Sequence, residues 1–424
     1  MRLTRLGYKV ALVSVPITSA HRFEVLNPAA QAQLTFEGFP LETGISLDFE
    51  VRWGTERFEP RTVPNLLVDR YLFHDRLRQC ATDAGVLVIE GRVQAFEKTA
   101  DGWRIFVGLQ AFEARLLADA TGRRGMRREI RWRGAPLIGL HTVWNGEKLP
   151  RSIRVEAATD AWIWGAPLPD GGYAISVFHD PRGGRSEGDL VSRVARVVAR
   201  SEILKGARDL RMMDKVTGHD ATPTGSEVAD QTLRLFRVGD AALTLDPLSS
   251  SGVQCALQSA VDCALAIHTL SQNQSTVALV TEFLNRRSSR RAARHTAYAA
   301  DFYDMANKAF PTLFWLARAS PAPSPPRVVV PNWDCRIVLG AEAQVRTEPC
   351  PVGDRIVARR VVCPPGSAEP VAIVDGVEVA PLFDLIPPDA TPGIVVRVWS
   401  AIVGEPLALR LFSWAWRAGL LEQS

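Results

Sequence analysis

Between a short apolar run, Leu233 to Val238, and a long apolar-periodic segment from about Val253 to Leu270, the chain carries a distinctive polar string. It reads Gly239-Asp240-Ala241-Ala242 and then Asp246-Pro247-Leu248-Ser249-Ser250-Ser251-Gly252-Val253. The run predicts a strand and the segment a helix, which places the chain in the α/β class. A strand that closes on Gly-Asp lets backbone and carboxylate approach a ligand closely, because glycine carries no Cβ. The Asp-Pro-Leu-Ser-Ser-Ser-Gly stretch then delivers backbone N–H groups at a helix N-terminus, which suits a pyrophosphate or a carbonyl that gains negative charge. An ordinary turn in a doubly wound sheet would explain an isolated Gly-Asp, but not the whole string.

Two further stretches have the same character. Leu116-Leu117-Ala118-Asp119-Ala120-Thr121-Gly122-Arg123-Arg124-Gly125 is an apolar strand that breaks into Ala-Thr-Gly. Val68-Asp69-Arg70-Tyr71-Leu72-Phe73-His74-Asp75-Arg76-Leu77 leads into a helix and then Gly85-Val86-Leu87-Val88. Together with the first string these resemble the motifs of the FAD-dependent monooxygenases and their halogenase and reductase relatives. The resemblance implies FAD, contacted by Gly239, Asp240, Asp246, Pro247, Gly252 and Val253 on the ribityl and ring side. It implies Thr121 and Gly122 beside the pyrophosphate, with Arg123 or Arg124 neutralising phosphate, and Arg70 near the cofactor. For Arg70 a surface helix start beside Asp69 stands as the other reading. The outer arginines Arg127, Arg128, Arg131 and Arg133 read as a solvated run.

The family opens with a strand and Gly-x-Gly-x-x-Gly, whose glycines allow a tight turn against pyrophosphate. This chain opens Met1-Arg2-Leu3-Thr4-Arg5-Leu6-Gly7-Tyr8-Lys9-Val10-Ala11-Leu12-Val13-Ser14. It reads as the last turn of the following helix, a glycine stop and the second strand. Ser14 stands where the family places an acidic residue for the ribose hydroxyls. A start placed late by about one βα unit (~20–30 residues) is expected over a true loss. Losing the central strand would leave an exposed edge inside the core sheet.

At 424 residues the chain exceeds what one hydrophobic core usually supports. The expected organisation is a Rossmann-like FAD-binding domain over 1–130 and 230–318 and an antiparallel substrate-domain sheet over 131–229. A small C-terminal α+β module over 327–424 follows the proline-rich Ser320 to Pro326. With 46% hydrophobic and 23% charged residues the composition is that of a globular protein, and the net charge of +4 argues weakly for any acidic partner. No apolar run reaches the length of a membrane span and no signal-peptide core follows Met1, so a cytoplasmic enzyme without a membrane partner is expected. The six cysteines show no C-x-x-C and no regular spacing, which points to unpaired thiols and no metal site. Cys255 and Cys263 fall two helical turns apart and read as small buried residues.

In the expected substrate sheet, strands are predicted at Leu140 to Trp144, Ser152 to Val155, Ala161 to Leu168 and Tyr173 to Phe178. Pro169 to Gly172 is a hairpin turn. Trp162-Ile163-Trp164 followed by Pro167-Leu168-Pro169 resembles a segment of the flavin-dependent halogenase branch. Packing between sheet and cofactor domain is the plainer reading. Those halogenases need a lysine between the second strand and the middle motif. None occurs from Ala11 to Glu97, and arginine, which stays protonated, does not replace it. Halogenation is therefore not expected. No general base can be named from sequence; His141 and His179 are candidates only by their place in this sheet.

The segment Arg286-Arg287-Ser288-Ser289-Arg290-Arg291-Ala292-Ala293-Arg294 spreads arginines over more than one helical face. A solvated helix is its default reading, and an anchor for an acidic partner its alternative; no stacking platform supports nucleic acid. In the C-terminal module, strands are predicted at Arg327 to Val330, Ile356 to Val362, Val371 to Val374 and Val377 to Val379. Helices follow, ending in Leu411 to Leu421, with Trp414 and Trp416 on different faces, one inward and one free. The form of the motifs, the missing lysine and the extra module look most like the flavoproteins that mature tryptophylquinone enzymes, of the quinohemoprotein amine dehydrogenase type. That resemblance implies hydroxylation of a tryptophan in a protein or peptide substrate, with molecular oxygen and an external reductant. A hydroxylase or reductase of a free small molecule and a non-catalytic peptide-binding relative are the alternatives.

Overall fold

The computed structural model describes residues 1–15, 23–41, 44–125, 129–182, 189–213, 215–230, 232–319, 330–365 and 369–424. Ser320 to Pro326, nearly all of the strand expected at Arg327 to Val330, and Arg127 and Arg128 lie outside them. The chain forms two compact units, Met1–Ala264 with His295–Ala322, and Leu265–Arg294 with Pro323–Ser424.

In the first unit, Arg2–Arg5 is a single helical turn that stops at Gly7 (φ 85°) and gives way to the strand Ala11–Ser14. That strand pairs in parallel with Leu87–Glu90, and Leu117–Asp119 pairs in parallel with Leu235–Arg237. The helix Arg70–Asp83 begins where the Asp69 side chain accepts from the Tyr71 N–H at 2.9 Å. It buries Phe73 with Leu26, Leu34, Phe39 and Val68, and Val253 and Leu257 pack against this cluster. The four strands expected from alternating apolar residues are joined by four others in an eight-stranded sheet. Its order runs Arg208–Met212, Ile138–Glu147, Tyr173–His179, Ala161–Pro167, Ile153–Ala157, Phe49–Arg52, Glu59–Arg61. Thr217–Asp220 pairs beside Ile138–Glu147. The Pro169 to Gly172 turn closes as expected, with the Leu168 N–H donating to the Gly172 carbonyl at 2.8 Å.

One face of this sheet buries Tyr173, Ile175 and Val177 with Val194 and Val198 of the helix Leu190–Ala199. The other packs Trp162 and Phe178 with Leu137, Tyr303, Phe314 and Trp315. Period-two alternation along each strand produces this division.

The second unit centres on the antiparallel hairpin Gln344–Val352 and Arg355–Cys363 and the helices Pro392–Val403 and Glu405–Arg417. The last helix stops at Arg417, short of the expected Leu421. Gly419 turns the chain at φ 67°, and Leu421–Gln423 pairs with Ile337–Leu339 as a strand. Trp414 and Trp416 both pack on the core, so neither stands free. The arginine run also differs from both of its readings. Glu348, 1% exposed, accepts from Arg286 at 2.6 Å, Arg290 at 2.6 Å and Arg346 at 2.7 Å, while Arg287 reaches Glu369 at 3.4 Å.

Burial would raise the Glu348 carboxyl, but Arg290, Arg346 and Arg286 outweigh it and hold it below the ordinary carboxylate range. Its contribution to stability is thus present above the unfolded carboxylate value and lost as pH falls through the lower folded one. Glu348→Gln is expected to cost about 1–3 kcal/mol, since the buried group loses charge-assisted hydrogen bonds while the partly exposed arginines keep contact with solvent. Urea unfolding at neutral pH checks this, and an unchanged midpoint would contradict it.

Candidate functional site

The two parallel strands Leu117–Asp119 and Leu235–Arg237 end side by side, the Val238 N–H donating to the Asp119 carbonyl at 3.0 Å. Thr121-Gly122 and Gly239-Asp240 therefore emerge at one carboxyl edge, where open α/β sheets bind their ligands. Asp119, 2% exposed, accepts from the Thr121 N–H at 2.9 Å and its hydroxyl at 2.6 Å. This turn presents Gly122 at φ 76° with open space where a Cβ would stand.

Gly239 has a different reason to be glycine. It sits at φ 57°, a Cβ on it would meet the Ala256 Cβ at 3.3 Å, and its N–H donates to Ser259 Oγ at 2.8 Å. Close approach of the helix Gly252–Gln272 requires it, and that approach fixes where Asp240 sits.

In the following loop Asp246 is turned inward. Its carboxylate accepts from the Leu248 N–H at 3.0 Å and the Tyr303 hydroxyl at 2.9 Å. Burial pushes this carboxyl up, opposed by the Leu248 N–H, Tyr303 and Arg318. Pro247 starts the short turn Pro247–Ser249, and Ser250 at φ 45° swings the chain into the helix. Gly252 meets nothing within 4 Å at its Cβ position, so the start of a 21-residue helix faces open space. First-turn N–H groups have no carbonyl within their own helix. Val253 packs into the apolar cluster around Phe73 instead.

Arg70 opens its helix with Nη1 4.0 Å from Glu24 and a buried Nε that has no protein partner. Crowding by the protein, then Arg70, pushes neighbouring His74 down to about 4. Glu24 in turn feels Arg70 and Asp240, beyond the desolvation that raises it. Arg123 donates to the Thr222 carbonyl at 2.8 Å, and desolvation lowers it against the pull of Asp240, Asp220 and Asp246. Asp240 thus lies within electrostatic reach of both Glu24 and Arg123, and Asp246 within reach of Arg123. Ser14, at the end of its strand, has a buried Oγ with no protein partner.

The sheet carries a second group of polar side chains. His141, 9% exposed, makes a 2.6 Å bond through Nδ1 to Ser176 Oγ and a 2.7 Å bond through Nε2 to His219 Nδ1. Partial desolvation, Arg123 and Arg70 hold His219 below the usual imidazole value. Beside this chain the Trp162 and Phe178 rings stack at 3.9 Å, and the Trp162 indole lies against Tyr303. His179 belongs elsewhere. It alternates with Phe178 onto the other face, where its Nδ1 meets the Asp180 carbonyl at 2.9 Å.

The sequence reading missed His219, Ser176 and Tyr303. The pairing Gly139↔His219, 80 positions apart in the chain, is what brings His219 to His141. A His-Asp pair in a chain with seven histidines was the available signal.

The residues present fit FAD at several points: unpartnered buried atoms on Ser14 and Arg70, an open left-handed glycine at Gly122, and an uncovered helix start at Gly252. No family model matches the chain. It is 26% identical over 327 residues to the tryptophan 2-halogenase of Chondromyces crocatus, covering 68% of this chain and 60% of that relative's length. Among solved structures, the peptidyl tryptophan dihydroxylase QhpG, essential for tryptophylquinone cofactor biogenesis, is 25% identical. It superposes at TM-score 0.80 over 99% of this chain and 95% of its own. The flavin-dependent halogenase CmlS superposes at TM-score 0.79 with 20% identity, over 99% of this chain and 92% of its own. The chain has the mixed α/β fold of the flavin-dependent monooxygenases and halogenases, and it is similar over nearly its whole length to a tryptophan dihydroxylase of that class.

Proposed function

We propose that this protein is an FAD-dependent monooxygenase that hydroxylates a tryptophan side chain within a polypeptide, as a step in tryptophylquinone biogenesis. The observation that carries this reading is that Thr121-Gly122 and Gly239-Asp240 leave two paired parallel strands at one edge, with the helix Gly252–Gln272 packed on Gly239 and with Arg123 and Arg70 within electrostatic reach of His219, the partner of His141. The full-length likeness to a peptidyl tryptophan dihydroxylase supports the substrate class.

Gly239 and Asp240 would hold the ribityl chain, Thr121, Gly122 and Arg70 the phosphate side, and the Asp246–Gly252 loop the ring. When bound and reduced, FAD supplies activation of molecular oxygen. One oxygen atom goes to an indole carbon, the other leaves as water, and an external reductant provides two electrons. The chain's own work is to exclude water, orient the indole and take up the ring proton. The stacked and buried Trp162 and Phe178 would form the rigid apolar backing for the first two tasks. His219, whose imidazole desolvation, Arg123 and Arg70 hold below its usual value, would accept the proton, with His141 and Ser176 behind it. First-turn N–H groups near Gly252 would stabilise developing negative charge.

The experiment supplies FAD, a flavin reductase, oxygen and a tryptophan-bearing peptide, with chloride and bromide present. Mass spectrometry should show a gain of oxygen and no halogen, because no lysine occurs between Ala11 and Glu97. A chlorinated or brominated indole would overturn the oxygenase assignment. Turnover of free tryptophan with the peptide untouched would move the substrate to a small molecule.

A further inference from the structure

A cavity of about 1110 Å³ opens on the sheet face turned away from His141, Trp162 and Phe178. Leu140, Ala161 and Val177 form its floor, each one residue out of phase with those three. Arg193, Arg196 and Arg200, spaced three and four apart along and just past the helix Leu190–Ala199, line one wall as a single stripe. Among the described residues Arg52 and Arg182 also line it, together with the carboxylates Glu156, Asp160 and Asp180, and Arg193 Nη2 lies 3.3 Å from His179 Nδ1. Two of those carboxylates are already engaged. Glu156, 1% exposed, is bonded by Arg52 at 2.8 Å and by the Glu202 N–H at 2.9 Å. Asp180 is held by Arg182 at 2.7 Å and is lowered to about 2 by that bond. The third is Asp160.

The rim is apolar. Phe314 and Trp315 anchor the short helix Leu313–Leu316 at 4% and 0% exposure, whereas Leu313 and Leu316 stand 83% and 61% exposed at the cavity mouth. The buried Nε2 of His179, also in the wall, has no protein partner. At this volume the cavity exceeds the ~300–1,000 Å³ of small-ligand sites. An extended peptide turns alternate side chains to opposite sides, so acidic residues would meet the arginine stripe while apolar ones meet Leu313 and Leu316.

We propose that this cavity docks an acidic, leucine-bearing segment of the polypeptide whose tryptophan is oxidised, an inference that rests on the peptidyl-substrate reading above. A single indole offers little binding energy for orientation, so an anchor remote from the chemistry supplies it.

The test is fluorescence anisotropy on the full chain with a labelled peptide alternating glutamate and leucine, and its glutamine counterpart. The glutamate peptide should bind saturably and weaken with added salt, and the glutamine peptide should bind on the order of tenfold more weakly. Arg196→Gln with Arg200→Gln should lose a similar factor. Leu313→Ser, at a solvent-facing position that the fold does not bury, should also weaken binding and serves where the arginine variant fails to fold. Equal affinity for the two peptides, or unchanged affinity in both variants, overturns the proposal. So does displacement of the peptide by millimolar inorganic phosphate, which would assign the cavity to a small anion. Bound flavin, and oxygenation of a separate tryptophan-bearing peptide, are read on the same protein preparations. Lost peptide binding with both retained fails the docking inference alone, and lost oxygenation with peptide binding retained fails the chemistry alone.

Discussion

Asp240→Ala is expected to strip flavin from the protein while leaving its fold intact. Asp240 sits in the short turn Gly239–Ala241, half-buried, at the edge where both parallel strands end. Hydrogen bonds to a charged group contribute about 1.5–3 kcal/mol, so affinity should fall by roughly 10- to 100-fold. Asp240→Asn keeps the shape and an acceptor and should lose less. Titration of each apoprotein with FAD, followed by flavin fluorescence, gives the numbers. Helix content by circular dichroism is the control, because Gly239 beside it is fixed by helix packing and must not be disturbed. Unchanged affinity in Asp240→Ala would remove the Gly-Asp pair from the cofactor site.

The strand, acidic turn and helix around Asp240 were legible because their signals are local: an apolar run, a glycine and a capping string. The same holds for the strands at Ala161–Pro167 and Tyr173–His179, set by period-two alternation and a hairpin turn. What sequence could not assign was the reason behind a residue. Nothing local to Gly239 shows that a Cβ there would meet Ala256 at 3.3 Å, so that helix packing also requires this glycine, while Gly122 and Gly252 face open space. Asp246 carries no local sign that its carboxylate binds the Leu248 N–H and the hydroxyl of Tyr303, the latter 57 residues away. The arginine run reads as solvated or partner-facing because Glu348, 58 and 62 residues beyond Arg290 and Arg286, carries no local sign of being their counter-ion. That ion cluster also changes how the C-terminal residues should be probed. Deleting 327–424 would remove Glu348 and the core packed around Trp399, so loss of activity would report unfolding. Point changes in surface-facing side chains are the cleaner tool.

The largest kinetic effect is expected at His219. Removing a positioned acid–base group costs typically 10²–10⁴-fold, so His219→Gln should lower the rate of peptide oxygenation by roughly that factor with flavin still bound. His141→Gln should cost less, since it acts through its bonds to Ser176 and His219. The pH dependence separates a proton acceptor from a structural wall. Partial desolvation and the nearby Arg123 and Arg70 favour the neutral imidazole, so His219 titrates below 6.5 and is an acceptor at neutral pH. The rate should therefore be flat near pH 7 and fall on acidification with an inflection below 6.5. Neutralising Arg123 would remove one of those positive charges, raise the His219 value and shift the inflection toward neutral pH. Arg123 also bonds the Thr222 carbonyl, so flavin content must be measured in that variant. His219→Gln should abolish the inflection along with most of the rate. A variant that keeps the acid limb, or loses rate only in proportion to lost flavin, would place the proton transfer on another group.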